Sequence, residues 1–203
     1  KNNSLRKIIT IIMAGGKGTR LKPFTHVLPK PLVPISGKPI IEHIIDKFLS
    51  YGINKFNLTV NYKSRILKSF FEELKPKYSI KFSEEKKPLG TAGGLATYKK
   101  KLKQPFFVTN CDIIINSDYT DIYTFHQKNK NDITLIASTK NYTIPYGVCD
   151  FDSDGNFLSI KEKPKYNFLT NSGFYVLSPN ILELIPNNKF YQMTDLIAEA
   201  KKK

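Results

Sequence analysis

Residues 14–21 read Ala14-Gly15-Gly16-Lys17-Gly18-Thr19-Arg20-Leu21. Three glycines among four residues let the backbone come close to a bulky anion, and the amide N–H groups of such a loop can turn toward phosphate oxygens. Lys17 adds a mobile point charge and Arg20 a planar fork of donors, so the chemistry on offer is a grip on phosphate. A tight surface turn with incidental basic residues competes with that interpretation when the loop is taken alone. Two common phosphate loops do not fit. A Walker loop requires Gly-Lys-Ser/Thr, but Lys17 is followed by Gly18, and a dinucleotide fingerprint requires glycine where Leu21 stands.

Two further positions could do chemistry beside a phosphate. Lys30 is flanked by Pro29 and Pro31, which presents the amine on a stiff stretch of chain; a solvated loop charge is the plain alternative. Asp112 follows the apolar run Phe106 to Val108. A carboxylate just past the end of a strand can hold Mg²⁺ against phosphate oxygens, or it can serve as an N-cap or Asx-turn residue. The histidines His26, His43 and His126 are too widely spaced for a zinc site, and no Gly-x-Ser-x-Gly elbow supports covalent hydrolysis.

These residues need a scaffold, and the hydrophobic pattern supplies one. Ile8 to Met13 reads as a buried strand that feeds the glycine loop, and a helix is expected to follow. From Pro39, Ile40, Ile41, Ile44, Ile45, Phe48 and Leu49 recur at helical spacing, with Gly52 just past the end. Phe56 to Val60 then reads as a strand, and Ile66 to Leu74 as a helix stopped by Pro76. Ser79 to Ser83 reads as a strand, with a glycine-rich turn into a helix near Thr91 to Tyr98. The strand Pro105 to Thr109, a helix at Tyr119 to Lys128 and the strand Ile133 to Ala137 continue the alternation.

Repeated βα units predict a Rossmann-like three-layer α/β/α sandwich on a mainly parallel, mixed sheet. After Lys140 the rhythm changes. Gly147 to Phe151 and Phe157 to Lys161 flank Asp154-Gly155, a hairpin signal that marks a small antiparallel lobe. A strand at Phe174 to Leu177, a helix from Pro179 to Leu184 and a last helix from Thr194 return to the main body. The expected organisation is one catalytic domain over 1–203, with a half at about 8–140 and a lobe at about 141–178.

Composition narrows the partners. With 40% hydrophobic and 12% aromatic residues, the 203-residue chain can bury a sizeable core. No apolar run approaches the ~18 residues of a membrane span, and Cys111 and Cys149 do not make a disulfide framework. A cytoplasmic protein with no membrane partner is expected. The net charge of +15 attracts polyanions, yet only Arg6, Arg20 and Arg65 are arginines and the lysines are scattered. Nucleic-acid surfaces favour patches of arginine with interleaved aromatics, so no nucleic-acid partner is expected.

The loop, Pro23 and Pro29-Lys30-Pro31-Leu32 together resemble the N-terminal motif of the sugar-1-phosphate nucleotidyltransferase family. Further matches follow in the family's order: Pro88-Leu89-Gly90-Thr91-Ala92-Gly93-Gly94, Asn110-Cys111-Asp112, Tyr146-Gly147-Val148, Glu162-Lys163-Pro164 and Asn171-Ser172-Gly173. The resemblance covers roughly residues 8 to 203. It implies that a nucleoside monophosphate is transferred from a nucleoside triphosphate to a sugar 1-phosphate with release of pyrophosphate. The wording of residues 88–94 is closer to guanylyltransferases acting on mannose-like, heptose or amino-sugar phosphates.

By the same resemblance, Ala14, Gly15, Gly16, Lys17, Gly18 and Thr19 hold the triphosphate, with Arg20 favouring departing pyrophosphate and Lys30 neutralising charge at the α-phosphate. Asp112 binds Mg²⁺, and Gly90 and Thr91 line the base pocket through backbone and hydroxyl contacts. Gly147, Glu162 and Asn171 contact the sugar, and Lys163 its phosphate. Adjacent strand residues face opposite ways, so Glu162 and Lys163 can share one pocket only if the backbone bends near Pro164.

Family members place a second metal-binding acid in a Trp-x-Asp-x-Gly segment beyond a helix like Thr194 to Ala200; this sequence contains no Trp. Asp195 reads instead as an acid in a helix's first turn. The chain lacks an initial Met and stops at a lysine run, so a longer protein is expected, with room for an upstream regulatory domain and for a homo-oligomer. A non-catalytic nucleotide sensor, or a cytidylyl-, uridylyl- or thymidylyltransferase of the same fold, are the alternatives.

Overall fold

A computed structural model of the chain describes residues 5–202. Two compact units are present, one formed by the chain up to residue 135 together with the chain from 173, the other by 136–172. The first unit is built on parallel strands. β1 (Ile9–Met13) lies between β4 (Lys55–Val60) and β6 (Phe106–Asn110), parallel to both, and β5 (Ser79–Glu84) pairs parallel with β4. β10 (Lys165–Leu177) runs antiparallel to β6, and β7 (Ile133–Thr143) completes the order β5-β4-β1-β6-β10-β7. The sheet is therefore mixed and mainly parallel. β2 (Pro34–Ile35) and β3 (Lys38–Pro39) form a separate two-stranded antiparallel pair.

That order decides where a ligand can sit. From β1 the chain steps outward to β4 and β5, then returns to place β6 on the other side of β1. A crevice opens at such a reversal, outside the carboxyl ends of the strands. The glycine loop leaves β1 and Asp112 follows β6, so the two flank it.

Alternation along β6 builds the two faces of the sheet, because successive side chains point to opposite sides. Phe106 and Val108 join a buried cluster with Leu95, Leu182 and Leu196. Phe107 faces the other way, 5.5 Å between ring centroids from Phe48 of α1 (Ile40–Ser50) and 5.8 Å from Tyr123 of α3 (Tyr119–Lys128). Phe48 also stacks on Phe174 at 5.8 Å and is fully buried, so truncating it to alanine would cost about 3–5 kcal/mol. α2 (Ser64–Leu74) contributes Leu67 and Phe71, and Pro76 follows its end.

Three expected helices take a different form. The chain after the glycine loop makes only short 3₁₀ turns at Thr19–Leu21, Phe24–His26 and Lys30–Leu32, and the helix begins at Ile40. Pro23, Pro29, Pro31 and Pro34 remove the backbone donors that an α-helix would need there. The segments Gly93–Tyr98 and Pro179–Leu184 are likewise 3₁₀. The first opens on two glycines, which favour tight turns over a regular helix.

The second unit contains the hairpin β8 (Val148–Phe151) and β9 (Phe157–Lys161), antiparallel as the turn signal predicts. Asp152 Oδ1 accepts the N–H groups of Asp154 and Asn156, and Gly155 adopts φ +85°, which only glycine takes without strain. Strands β7 and β10 both extend beyond the ranges expected from sequence.

Candidate active site

The glycine loop is shaped by what it passes. Ala14 is buried and its N–H donates to Thr59 O at 2.9 Å, which ties the end of β1 to β4. Gly18 has φ +64°, and a Cβ there would stand 2.9 Å from Thr25 Cγ2 and 3.0 Å from Lys30 Cβ. Thr25 Oγ1 donates to Gly18 O at 3.0 Å, closing the turn. Gly16 has open space where a Cβ would point, so packing does not require glycine there.

Gly15, Gly16, Gly18, Thr19, Lys30 and Asp112 line one crevice of about 510 Å³ in the first unit. Gly90 and Thr91 line it as well. Ala14 is buried and does not line the crevice, and Lys17 is exposed on the loop. Arg20 is in the turn Thr19–Leu21, but its side chain lies outside what the structure describes.

Opposite charges meet on the crevice surface. Lys30 Nζ is 2.5 Å from Asp112 Oδ2, and the two side chains are only 15% and 26% exposed. A charge-assisted contact in so little water is stronger than a surface pair. Cys111, between Asn110 and Asp112, is buried, and burial pushes its thiol up to about 12 against the pull of the Lys30 charge. It is therefore no nucleophile at neutral pH. Asn110 is pressed from behind by Gly173, where a Cβ would collide with the Asn110 amide.

The far end of the crevice is clasped by the chain near Tyr191. Ala92 and Gly93 donate their N–H groups to Tyr191 O at 3.0 and 3.1 Å, and Tyr191 N–H donates to Leu89 O at 2.9 Å. A Cβ on Gly90 would stand 2.5 Å from Tyr191 O. Gly90 and Gly93 thus serve this close approach between two chain segments, whereas a Cβ on Gly94 would meet Glu85. The Thr91 hydroxyl donates to Gln192 Oε1 at 2.9 Å and accepts the Met193 N–H at 2.8 Å, at the start of α4 (Met193–Ala200). Asp195 accepts the Gln192 N–H at 2.9 Å in a capping box, the role its position suggested.

Sequence reasoning missed Glu85, which lines the same crevice. It follows β5 directly, and its N–H donates to Val60 O at 2.8 Å while its carbonyl accepts Asn61 Nδ2 at 2.6 Å. Its Oε2 accepts the Leu89 N–H at 3.2 Å, and burial raises its pKa. An acid directly after a parallel strand was the signal that selected Asp112, but the run Glu84-Glu85-Lys86-Lys87 looks like solvated surface charge.

In the second unit, Gly147 has Ile160 Cδ1 and Glu162 Oε2 at 3.0 and 3.2 Å from where its Cβ would be. Glu162 and Lys163 fall in a bend after β9, with Lys163 at φ +43°. The backbone does bend before Pro164, so strict strand alternation no longer separates these side chains. Lys163 Nζ lies 3.8 Å from Glu162 Oε1, and both are largely exposed. Asn171 is an exposed residue of β10.

The donor set bears on magnesium. Among the described residues no group of three His, Cys, Asp or Glu is placed to hold an ion. Magnesium usually keeps waters and takes one or two carboxylates together with substrate phosphates, so Asp112 alone fits an ion that arrives on a triphosphate.

Comparison with known proteins agrees with this geometry. The family model described as nucleotidyl transferase matches residues 9–203. A mannose-1-phosphate guanyltransferase from Pichia angusta is 36% identical over 205 aligned positions, covering 95% of this chain and 56% of that protein. The mannose-1-phosphate guanylyltransferase catalytic subunit beta of Dictyostelium discoideum is 36% identical over 182, covering 86% and 51%. The crystal structure of HddC from Yersinia pseudotuberculosis complexed with GMP-PN superposes with a TM-score of 0.67 at 29% identity, covering 91% of this chain and 82% of that one. The chain spans about half the length of the two relatives.

Proposed function

The chain belongs to the nucleotidyl transferase family, and on that premise we propose that it joins GMP from GTP to a mannose-like sugar 1-phosphate and releases pyrophosphate. The observation that carries this is the convergence of the glycine loop, Lys30 and Asp112 on one crevice at the strand-order reversal. The names of the 36%-identical relatives support guanine and mannose 1-phosphate as the first substrates to try.

An oxygen of the sugar phosphate attacks the α-phosphorus of the triphosphate. A P–O bond forms as the bond to the α,β-bridging oxygen breaks, and that electron pair leaves with pyrophosphate. The nucleophile is already anionic, so the side chains need only position the groups and neutralise charge. The loop amides of Gly15 to Gly18 and the Arg20 guanidinium hold the β- and γ-phosphates, and Lys30 meets charge growing at the α-phosphate. Magnesium, when bound, supplies further charge neutralisation at phosphate oxygens, and Asp112 is the residue to hold it.

Gly147, Glu162 and Asn171 contact the sugar in this proposal, and Lys163 its phosphate. Gly90 and Thr91 form part of the base pocket. A cytoplasmic setting suits the free thiols of Cys111 and Cys149. No described helix is long and apolar enough to cross a membrane. The relatives named as catalytic subunits support a full-length protein that works with a partner subunit. The test is a pyrophosphate-release panel crossing five triphosphates with several sugar 1-phosphates on full-length protein. GTP with mannose 1-phosphate is expected to lead, and release from no pair rejects the proposal.

A further inference from the structure

Lysines that are scattered along the sequence are gathered by the topology. β1, β4, β5 and β6 run parallel, with Ile9 beside Lys55, Lys55 beside Ser79 and Thr10 beside Phe107, so all four are entered at one end of the sheet, opposite the crevice. Leu177 pairs with Phe106, and the Ser178 N–H that follows donates to Asp132 O at 2.9 Å, which brings the turn before β7 to the same end. The five entering segments, 5–8, 51–54, 75–78, 99–105 and 129–132, hold nine Lys or Arg in 23 residues and a single acid, Asp132. The segments that leave the parallel strands toward the crevice, 14–33, 61–63, 85–92 and 111–118, hold seven in 39 and three acids. Positive charge is thus densest away from the crevice.

None of those nine cations is in an ion pair among the described residues. Lys75, Lys100 and Lys130 hold left-handed backbone, at φ +45°, +60° and +50°, a conformation that glycine or asparagine takes at less cost. Lysine stands at these three turns against its backbone preference, which points to a use for the side chain.

A pocket of about 160 Å³ opens within this face. Ile9, Leu102, Pro105 and Phe106 give it apolar walls, and the exposed Lys101 and Lys103 border it. Gln104 Nε2 donates to Lys7 O at 2.9 Å, tying segment 99–105 to the chain before β1. The volume is well below the roughly 300–1,000 Å³ of small-molecule sites and suits one side chain. A concave apolar pocket receives a group, whereas a lipid surface is entered by apolar side chains that project. Arg6 is the one arginine in the five segments, so the face lacks the forked donors best matched to nucleic-acid phosphates.

We infer that this end of the sheet docks an acidic peptide segment of another protein. One leucine- or phenylalanine-sized side chain of that segment fills the pocket, and its carboxylates lie over the surrounding lysines. The charges steer the encounter, and the buried anchor holds the complex.

The test is fluorescence anisotropy on full-length protein, with a labelled peptide of three glutamates, one leucine and three glutamates. Replacing the leucine by alanine should weaken binding roughly tenfold or more. Salt that shortens the Debye length below about 8 Å should weaken it further. Lys101→Glu combined with Lys103→Glu should cost roughly tenfold or more, and saturating magnesium GTP should change nothing. Equal affinity for the leucine and alanine peptides overturns the proposal on wild-type protein alone, whether or not the double variant folds. Displacement by GTP, which would put the peptide in the crevice, also overturns it, as does unchanged affinity in the folded double variant. Tighter binding of a single-stranded oligonucleotide of equal charge, or of phosphatidylserine vesicles, lost in the same double variant, overturns it in favour of that partner. Absence of binding by every probe overturns it too.

Discussion

Lys30 Nζ and Asp112 Oδ2 stand 2.5 Å apart, so the cation we propose meets phosphate and the carboxylate we propose holds magnesium neutralise each other. The glycine loop packs on the same lysine, since a Cβ at Gly18 would meet Lys30 Cβ at 3.0 Å. Lysine, loop and the proposed metal-binding carboxylate are thus parts of one structure. A triphosphate carrying magnesium can satisfy both partners at once, and either component alone must compete with the pair.

Asp112→Asn should separate those roles. Magnesium-dependent pyrophosphate release should fall roughly 100- to 1,000-fold, as for loss of an electrostatic group at a transition state. Metal-free triphosphate should bind more tightly than to the wild type, because Lys30 no longer has an anionic partner. Steady-state kinetics and calorimetry in chelator measure the two effects, and unchanged turnover would reject the metal assignment.

Gly18→Ala should lower stability by about 1–2 kcal/mol for the left-handed backbone alone, with crowding against Thr25 Cγ2 at 2.9 Å added to it. Thermal unfolding should show a lower Tm, and triphosphate affinity should fall with it. Gly16→Ala, at a position with open space, should leave the Tm nearly unchanged while weakening the triphosphate. Equal loss of Tm in both variants would contradict the separation of packing from binding.

Lys163→Ala should raise KM for sugar 1-phosphate roughly tenfold or more, the loss of one charge-assisted contact, with little change in KM for GTP. Its contact with Glu162 is long, at 3.8 Å, and exposed, so the Tm should barely move. A defect confined to the nucleotide side would overturn the sugar-phosphate role.

Glu85→Gln should stabilise the unliganded protein. Burial raises the native pKa of Glu85 above the ordinary glutamate value of 4.5, so ionisation at neutral pH costs the folded state more than the unfolded chain. The wild type should match the variant below about pH 4.5, where the carboxyl is protonated in both states. It should fall behind as pH rises through the raised native value. Melting curves across that range check the sign, and a variant less stable at neutral pH contradicts it.

Much of the candidate crevice was legible because its signals are local. A buried strand, three glycines and a lysine between prolines are adjacent in sequence, and an acid after an apolar run marks a strand's carboxyl end. The sheet was legible from alternating periodicity, whereas the 3₁₀ turns were hidden by glycines and prolines that only the folded path interprets. The capture of the Thr91 hydroxyl could not be read, since its partner Gln192 lies 101 positions away. Glu85 was obscured by neighbouring charges, and the freedom of Glu162 and Lys163 from strand alternation depended on a bend at Lys163, φ +43°.

The most direct measurement is a crystal structure of the full-length protein with a non-hydrolysable GTP analogue and magnesium. Phosphate density within hydrogen-bond distance of the Gly15 to Gly18 amides is predicted, with Lys30 drawn toward the α-phosphate and Asp112 facing the metal. A nucleotide bound elsewhere, with the Lys30 and Asp112 side chains still joined, would contradict the account.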